Sequence, residues 1–424
     1  MPGEVGGAAG QPAADVVVIG AGVVGTCIAL YLARQGAAVI LAERLDPGAG
    51  ASSGNAGLVV PSHVVPLNSA ASVVEGVRSL ISSQGPTRLR PRPDRSLLRW
   101  CWRFVRSCSP GTIAASMAAL HAFATESLQL HRDLATKIGG YGFEQKGWLH
   151  LYRSQRALES GMRTSATTSR VGVLSELLSA SDARHMAQAT ADDLVGGIFF
   201  PDDAQLQPAH FVQELVRAAR SAGVRVLTSA SIGLRREGSG AVSAVDSRTG
   251  EVIKSDTCVL AAGSACASIG RAVGLDIPIE PARGFSITVQ SERTVPLPLS
   301  LDEAHVVVTP MGEGVRMTSG LDLVGLDSRI DPRRVWAMEQ AAKSYLGLNI
   351  ATGSEPWIGY RPLTPDSVPI VGRSTRYPNL VIASGHGTLG VTLAPATGNL
   401  VADIVSGQSL PAWTDAVRPA RFGI

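Results

Sequence analysis

The chain has 424 residues, 45% of them hydrophobic and 17% charged, a balance that suits a well-buried globular protein of two intertwined domains and excludes extensive disorder. Its formal net charge of +3 is too small to imply a nucleic-acid partner. Five cysteines (Cys27, Cys101, Cys108, Cys258 and Cys266) form no C-x-x-C pair and no zinc spacing, so reduced thiols in a cytoplasmic protein without a metal are expected.

Residues 1–14 are rich in Gly and Ala, lack the basic and apolar regions of a signal peptide, and read as a flexible tail. A β-branched run then ends at Gly20, a helix-periodic stretch follows, and a second apolar run stops at Glu43. Gly20, Gly22 and Gly25 stand as G-x-G-x-x-G between strand and helix. The first permits a tight turn, the second lets backbone approach a pyrophosphate, and the third lets helix and strand pack closely. The helix N-terminus would face the phosphates with unpaired N–H groups. Glu43 stands near the spacing of an acid that accepts hydrogen bonds from a ribose 2′-OH, which argues for FAD or NAD and against NADP. The glycines and the change of period also make residues 16–32 part of a βαβ unit rather than a membrane span.

Residues 46–62 form a Gly/Ser/Ala loop whose length after a ribose-binding strand points to function. From 86 to 109 the chain carries seven arginines, Arg88 to Arg106, interleaved with Trp100, Trp102 and Phe104. This segment predicts a helix with an aromatic core face and solvated arginines, in preference to a membrane-surface helix. Residues 147–153 alternate as a strand, and 207–223 predict a helix ending at Gly223. Short strands are expected at 224–232, 241–246, 251–254 and 257–261, the last delivering Gly263 beside the cofactor. A mainly antiparallel sheet is expected from 284–290, 305–310 and 315–319, followed by a helix at 336–346. A final strand at 379–384 leads through His386-Gly-Thr-Leu-Gly390 into a helix that runs to Val405, a second strand–Gly–helix unit with backbone N–H groups at its turn.

The segments Trp357-Ile-Gly-Tyr-Arg-Pro-Leu-Thr-Pro-Asp366, Pro369-Ile-Val-Gly372 and Ser384-Gly-His-Gly-Thr-Leu-Gly-Val-Thr-Leu-Ala-Pro-Ala-Thr-Gly398, with the N-terminal unit and Ser52-Ser-Gly-Asn-Ala-Gly57, resemble the FAD-dependent D-amino-acid oxidase and dehydrogenase superfamily. Within it the chain is most similar to the bacterial D-amino-acid dehydrogenase small subunit. The resemblance implies an α/β Rossmann-like FAD domain of the glutathione-reductase type and an α+β substrate domain with an antiparallel sheet over the flavin. The expected division gives 15–80, 200–275 and 365–424 to FAD, and 81–199 with 276–364 to substrate. It further implies that Gly20, Gly22, Gly25, Glu43 and Arg44 hold the ADP half. Ser52, Ser53, Asn55, Ala56, Gly57 and Leu58 would line the pyrophosphate, Ile232 would meet adenine through its backbone, and Gly263 would sit near the pyrophosphate. Gly385, Gly387, Thr388, Leu389 and Gly390 would donate to the pyrimidine edge.

By the same resemblance Arg361 binds the substrate carboxylate beside the flavin, against the alternative of a structural pairing with Asp366. Related sarcosine oxidases link flavin through a Cys where this chain has Gly359, which implies non-covalent FAD. Glycine oxidase has a second Arg where this chain has Thr388, which leaves Arg361 as the main anion site. His63 and His386 are candidate bases. The expected reaction is oxidation of a D-amino acid, or of a secondary amino acid such as a D-proline derivative, to an imine and then a 2-oxo acid. The alternatives are a glycine or amine oxidase using oxygen, and a non-catalytic flavoprotein subunit of a hetero-oligomeric dehydrogenase. Quinone, dye and oxygen all remain open as electron acceptors, and membrane contact is expected to be at most peripheral, at the inner face.

Overall fold

A computed structural model of the protein describes residues 13–69, 73, 87–90, 92–350 and 355–424. The strand Ala13–Ile19 lies at the centre of the first sheet, where its β-branched side chains are covered on both faces. It pairs in parallel with Val39–Ala42 on one side and with Val252–Leu260 on the other, Ile19 standing opposite both Ala42 and Leu260. Leu380–Ser384 and Arg225–Leu227 extend the parallel set outward. The register brings Gly20, Glu43, Ala261 and Gly385 to one edge, the carboxyl ends of the strands, where open α/β sheets take their ligands. Helix Val23–Arg34 packs against helix Gly390–Ser406, and Gly398 makes that contact possible because a Cβ there would lie 2.9 Å from the Cys27 carbonyl oxygen.

The second sheet has the order Trp357–Leu363, Glu280–Gln290, Gly314–Leu323, Val306–Met311, Leu299–Leu301, Trp148–Tyr152, Gly196–Phe200, Glu176–Leu178. Most of its pairs are antiparallel, and one face is covered by a separate apolar cluster that includes Phe285, Met317 and Tyr345. The mixed α/β architecture matches the expected fold class.

Several element boundaries differ from the sequence reading. Residues 251–254 and 257–261 belong to one strand, Val252–Leu260, with its polar half paired to Val242–Asp246 and its apolar half buried beside Ala13–Ile19. The 224–232 run divides into Arg225–Leu227 and the start of Ile232–Arg236, with Ser229 at φ 56° between them. Helix Pro110–Lys137 escaped the sequence reading because its Ala- and Ser-rich faces carry no clear apolar stripe.

The arginine-rich segment is the helix Arg95–Ser107, but its aromatic face does not lie wholly in the core. Trp100 is buried and donates its indole N–H to the Leu363 carbonyl at 3.0 Å, whereas Trp102 is 59% exposed together with Leu98 and Val105. Two residues on a helix turn through about 200°, so alternating tryptophans must face opposite ways. Arg99 and Arg103 approach Asp276 at 3.7 and 3.3 Å. Cys27, Cys258 and Cys266 are buried free thiols, while Cys101 and Cys108 are partly exposed. Among the described residues no helix is long and apolar enough to cross a membrane. Residues 1–12 of the expected tail lie outside the described residues, and residues 13 and 14 belong to the first strand instead.

Candidate functional site

Gly20 leaves the central strand with φ 104°, and a Cβ there would lie 2.7 Å from the Ala261 carbonyl oxygen. A Cβ on Gly25 would run into the Gly20 carbonyl, so the helix start and the turn can touch only as glycines. Gly22 caps the helix with no side-chain bond of its own, and the Val23 N–H is satisfied by Ser52 Oγ at 3.0 Å. Glu43 sits at the end of its strand and accepts from the Ala21 N–H at 2.8 Å and the Leu45 N–H at 3.0 Å. Its carboxylate therefore braces the glycine turn as well as facing the ligand edge, while the Arg44 side chain is exposed. Ile232 begins its strand with its N–H on the Ala230 carbonyl at 3.1 Å. Gly263 turns with φ 55° into open space, its carbonyl accepting from Ser384 Oγ at 3.0 Å.

The 52–58 loop folds on itself. Ser53 Oγ donates to the Gly48 carbonyl at 2.8 Å, Gly57 N–H donates to Asn55 Oδ1 at 2.7 Å, and Gly57 has φ 72°. Ala56 lies inside that turn, and the Leu58 carbonyl accepts from Thr392 Oγ1 at 3.2 Å. The second sheet grips this loop from outside. Arg316 Nη1 donates to the carbonyls of Ser53 and Asn55 at 2.9 and 2.8 Å, and Ser286 Oγ donates to the Gly54 carbonyl at 2.7 Å. The Trp357 ring fills the space that a Cβ on Gly54 or Gly359 would need. These three side chains were not singled out in the sequence, since no local pattern marks a residue that bonds a loop more than 200 positions away.

Arg361 lies on the sheet face that carries Trp357 and Gly359, opposite Ala282 in register. Its guanidinium covers Gly284, the residue a Cβ would make too large, and donates to the Gly320 carbonyl. Asp366 is held bidentately by Arg421, at 2.8 and 3.3 Å, so it is not the partner of Arg361. Arg361 makes no ion pair among the described residues. Burial lowers its pKa to about 10, which leaves it charged at neutral pH.

Gly385 (φ 83°) and Gly387 (φ 55°) turn the chain from strand to helix, with the Gly387 N–H on the Pro362 carbonyl at 2.9 Å. His386 points away into the protein, its Nε2 2.9 Å from Thr397 Oγ1, and burial pushes its pKa down to about 3. Thr388 is exposed, and with Gly385, Gly387 and Leu389 it lines a narrow cavity of about 30 Å³ that His63, Leu120 and Leu363 also border. Gly390 starts the following helix. The exposed His63 borders that space, its ring tilted against Trp148 at 5.8 Å between centroids. Desolvation by the surrounding protein, with His150 nearby, lowers its pKa to about 4. The structure thus brings His63, Thr388 and the 385–389 turn together. It turns the His386 ring inward, and it sets Ile232 and Arg44 at other points of the same ligand edge.

A glycine turn at the strand ends, a second turn closing from the C-terminal helix and an antiparallel sheet over both define a flavoprotein oxidoreductase. The chain belongs to the DAO family of FAD dependent oxidoreductases, which it matches over residues 15–404. It is 32% identical over 406 residues to a D-amino acid dehydrogenase of Granulibacter bethesdensis, covering 93% of this chain and 96% of that one. It is also 32% identical over 421 residues to a D-amino acid dehydrogenase of Methylobacterium radiotolerans, covering 96% and 99%. Its fold is shared with a glycine oxidase from Geobacillus kaustophilus (TM-score 0.73, 22% identity, 94% and 96% coverage). It is shared as well with the L-proline dehydrogenase of P. horikoshii (TM-score 0.72, 20% identity, 97% and 98% coverage). The residues present fit FAD, because beside the turn that Gly20 allows the backbone at Gly263 faces open space that a side chain would fill.

Proposed function

We propose that this protein oxidises the Cα–N bond of a D-amino acid, or of a secondary amino acid such as a D-proline derivative, to an imine that water hydrolyses to a 2-oxo acid. The observation that carries this reading is Arg361, a charged guanidinium without an ion pair among the described residues, on the sheet face that grips the cofactor loop. A planar fork binds a carboxylate through two parallel hydrogen bonds. FAD, when bound, supplies the two-electron acceptor. The chain's part is to hold the carboxylate at Arg361, to orient Cα, and to exclude water with the sheet. His63 is neutral at pH 7 and stands where it can accept a hydrogen bond from a substrate nitrogen. His386 supports the 385–389 turn through Thr397 rather than meeting substrate.

The cofactor contacts in this reading are Gly20, Gly22, Gly25, Glu43 and Arg44 for the ADP half, the 52–58 loop and Gly263 for the pyrophosphate, Ile232 for adenine, and 385–390 for the flavin edge. The division into a cofactor domain (15–80, 200–275 and 365–424) and a substrate domain (81–199 and 276–364) is supported by the distribution of strands between the two sheets. Binding is taken as non-covalent, since the Trp357 ring covers Gly359 and leaves no room there for a linking Cys. Any membrane contact is peripheral, through Leu98, Trp102 and Val105 with their flanking arginines.

Anaerobic mixing of the yellow protein with a panel of D-amino acids should bleach the flavin, with L-enantiomers inactive, and acid precipitation should leave all flavin in the supernatant. A protein that no amino acid bleaches, or that only L-amino acids bleach, would overturn the reading.

A further inference from the structure

A strand of the second sheet carries one residue too many next to Arg361. Glu280–Gln290 and Gly314–Leu323 pair one to one from Gln290 to Phe285, which stands opposite Ser319, but the ladder resumes at Arg283 with Asp322. Gly320 and Leu321 therefore share the space opposite Gly284, a β-bulge of the kind that re-aims a side chain. Gly320 adopts φ 83°, and a Cβ there would lie 2.8 Å from Phe285 Cε1, so this position is built for glycine. Its carbonyl accepts from Arg361 Nη1, and the Arg361 guanidinium lies over Gly284. No hydrogen bond within the described residues takes Arg361 Nε or Nη2, the edge that presents two parallel N–H groups.

The lock on this bulge is behind the sheet. Side chains alternate along a strand, so Arg283 points away from the face that Ala282 and its register partner Arg361 share. There Asp322 is wholly buried, and its Oδ2 accepts from Arg283 Nη2 at 2.8 Å and from Arg334 Nη1 at 2.6 Å. Arg334 belongs to helix Pro332–Leu346, so the clamp ties strand, strand and helix together. Arg283 Nη1 also donates to the carbonyls of Asp327 and Arg329, which fastens the chain just beyond the bulged strand. A buried ion pair adds little stability over apolar residues of the same volume, but a slip of one residue would strand both charges in a dry interface. Its effect is on register.

We infer that Asp322 is a positioning residue for the substrate: by locking the bulge it keeps the Gly320 carbonyl on Nη1 of Arg361 and leaves the Nε–Nη2 edge to a carboxylate. The inference rests on the amino-acid reading above and deepens it by naming what orients the anion site. The charge of Asp322 also acts on Arg361 across the sheet, opposing the effect of burial and favouring the charged guanidinium. A purely structural clamp would lower stability and turnover together, whereas a positioning role falls on substrate affinity through Arg361.

The test uses the flavin-loaded full chain. Arg283→Met combined with Asp322→Leu removes one charge of each sign and fills the space with apolar atoms, which frees the register without an unpaired charge between the strands. Asp322→Asn keeps the volume, removes the charge alone, and serves if the double variant does not fold. Crystal structures should show the Arg361 guanidinium displaced from the Gly320 carbonyl in the double variant, with a smaller shift in Asp322→Asn. The substrate constant should rise about tenfold in the double variant, with kcat within about twofold of the parent and a normal flavin spectrum. In an Arg361→Ala background the same substitutions should add less than about twofold, because Asp322 acts through Arg361. An Arg361–Gly320 contact retained in both variants, or an equal loss of affinity with and without Arg361, would overturn the inference. A parent protein that no amino acid bleaches, or an Arg361→Ala variant with the parental substrate constant, defeats the carboxylate reading instead, and the crystal structures still judge the lock.

Discussion

The turn at Gly20–Gly25 takes strand, helix and acid from one stretch of chain, 15–44, whereas the roof opposite it is assembled from three strands. Ser286, Arg316 and Arg361 come from Glu280–Gln290, Gly314–Leu323 and Trp357–Leu363, adjacent only because the sheet pairs them. In the first region geometry is imposed by what is missing, side chains at Gly20 and Gly25. In the second it is imposed by polar side chains, Ser286 and Arg316 reaching across to the 52–58 loop and Arg361 bonding within the sheet. A local cradle of this kind fails all at once when a methyl group is added. An assembled roof should lose function in increments, one hydrogen-bonding partner at a time.

That contrast is open to direct tests. The largest effect should come from Gly25→Val, whose side chain would drive into the Gly20 carbonyl. Colourless protein, or protein lost to the insoluble fraction, is expected, and a normally yellow variant would show that the turn tolerates bulk. Arg361→Ala should raise the apparent substrate constant about thirtyfold or more, since an unpartnered carboxylate in a desolvated pocket costs on the order of 2–5 kcal/mol. The visible flavin spectrum should stay near normal, and Arg361→Lys should recover only part of the loss because one ammonium does not reproduce the fork. If flavin is lost along with affinity, the roof is not separable from the cradle.

Glu43→Ala should weaken FAD retention on dialysis by roughly ten- to a hundredfold, in line with about 1.5–3 kcal/mol for a charged acceptor. Part of that effect belongs to the turn, since the Ala21 and Leu45 N–H groups also lose their acceptor. Glu43→Gln, which keeps one acceptor oxygen, should fall between parent and Ala.

Asp203, buried and bonded to the Ser62 N–H and hydroxyl, provides a pH test away from both regions. Its folded pKa, about 8, is raised above its ordinary value of 3.8, so the folded state binds the extra proton between those limits. Stability from this group is complete below about pH 4 and is lost as pH rises through about 8. Asp203→Asn should flatten that part of the thermal-stability profile, and an unchanged slope would place the titration elsewhere. The smallest effect concerns the exposed stripe on helix Arg95–Ser107. Anionic vesicles should sediment a modest fraction of the protein at low salt and release it at high salt, with Trp102→Ser reducing the fraction.

What the sequence by itself determined is the geometry of the glycine turn. Spacing, β-branching and a terminal acid within one βαβ unit identified Gly20, Gly22, Gly25 and Glu43, because each constraint acts between neighbours in the chain. The resemblance proposed Arg361 and the 385–390 turn for the site, but their partners were decided only by tertiary structure. Asp366 could have paired with Arg361, yet the fold gives it to Arg421 from the C-terminus. His386 reads as a loop base in sequence, yet helix Gly390–Ser406 supplies Thr397 and turns the ring inward. Arg316 and Asp203 had no local signal at all, because a side chain's hydrogen-bond partner and its distance from water depend on which segments pack beside it. Those contacts arise between residues far apart in the chain, and no periodicity or spacing encodes them.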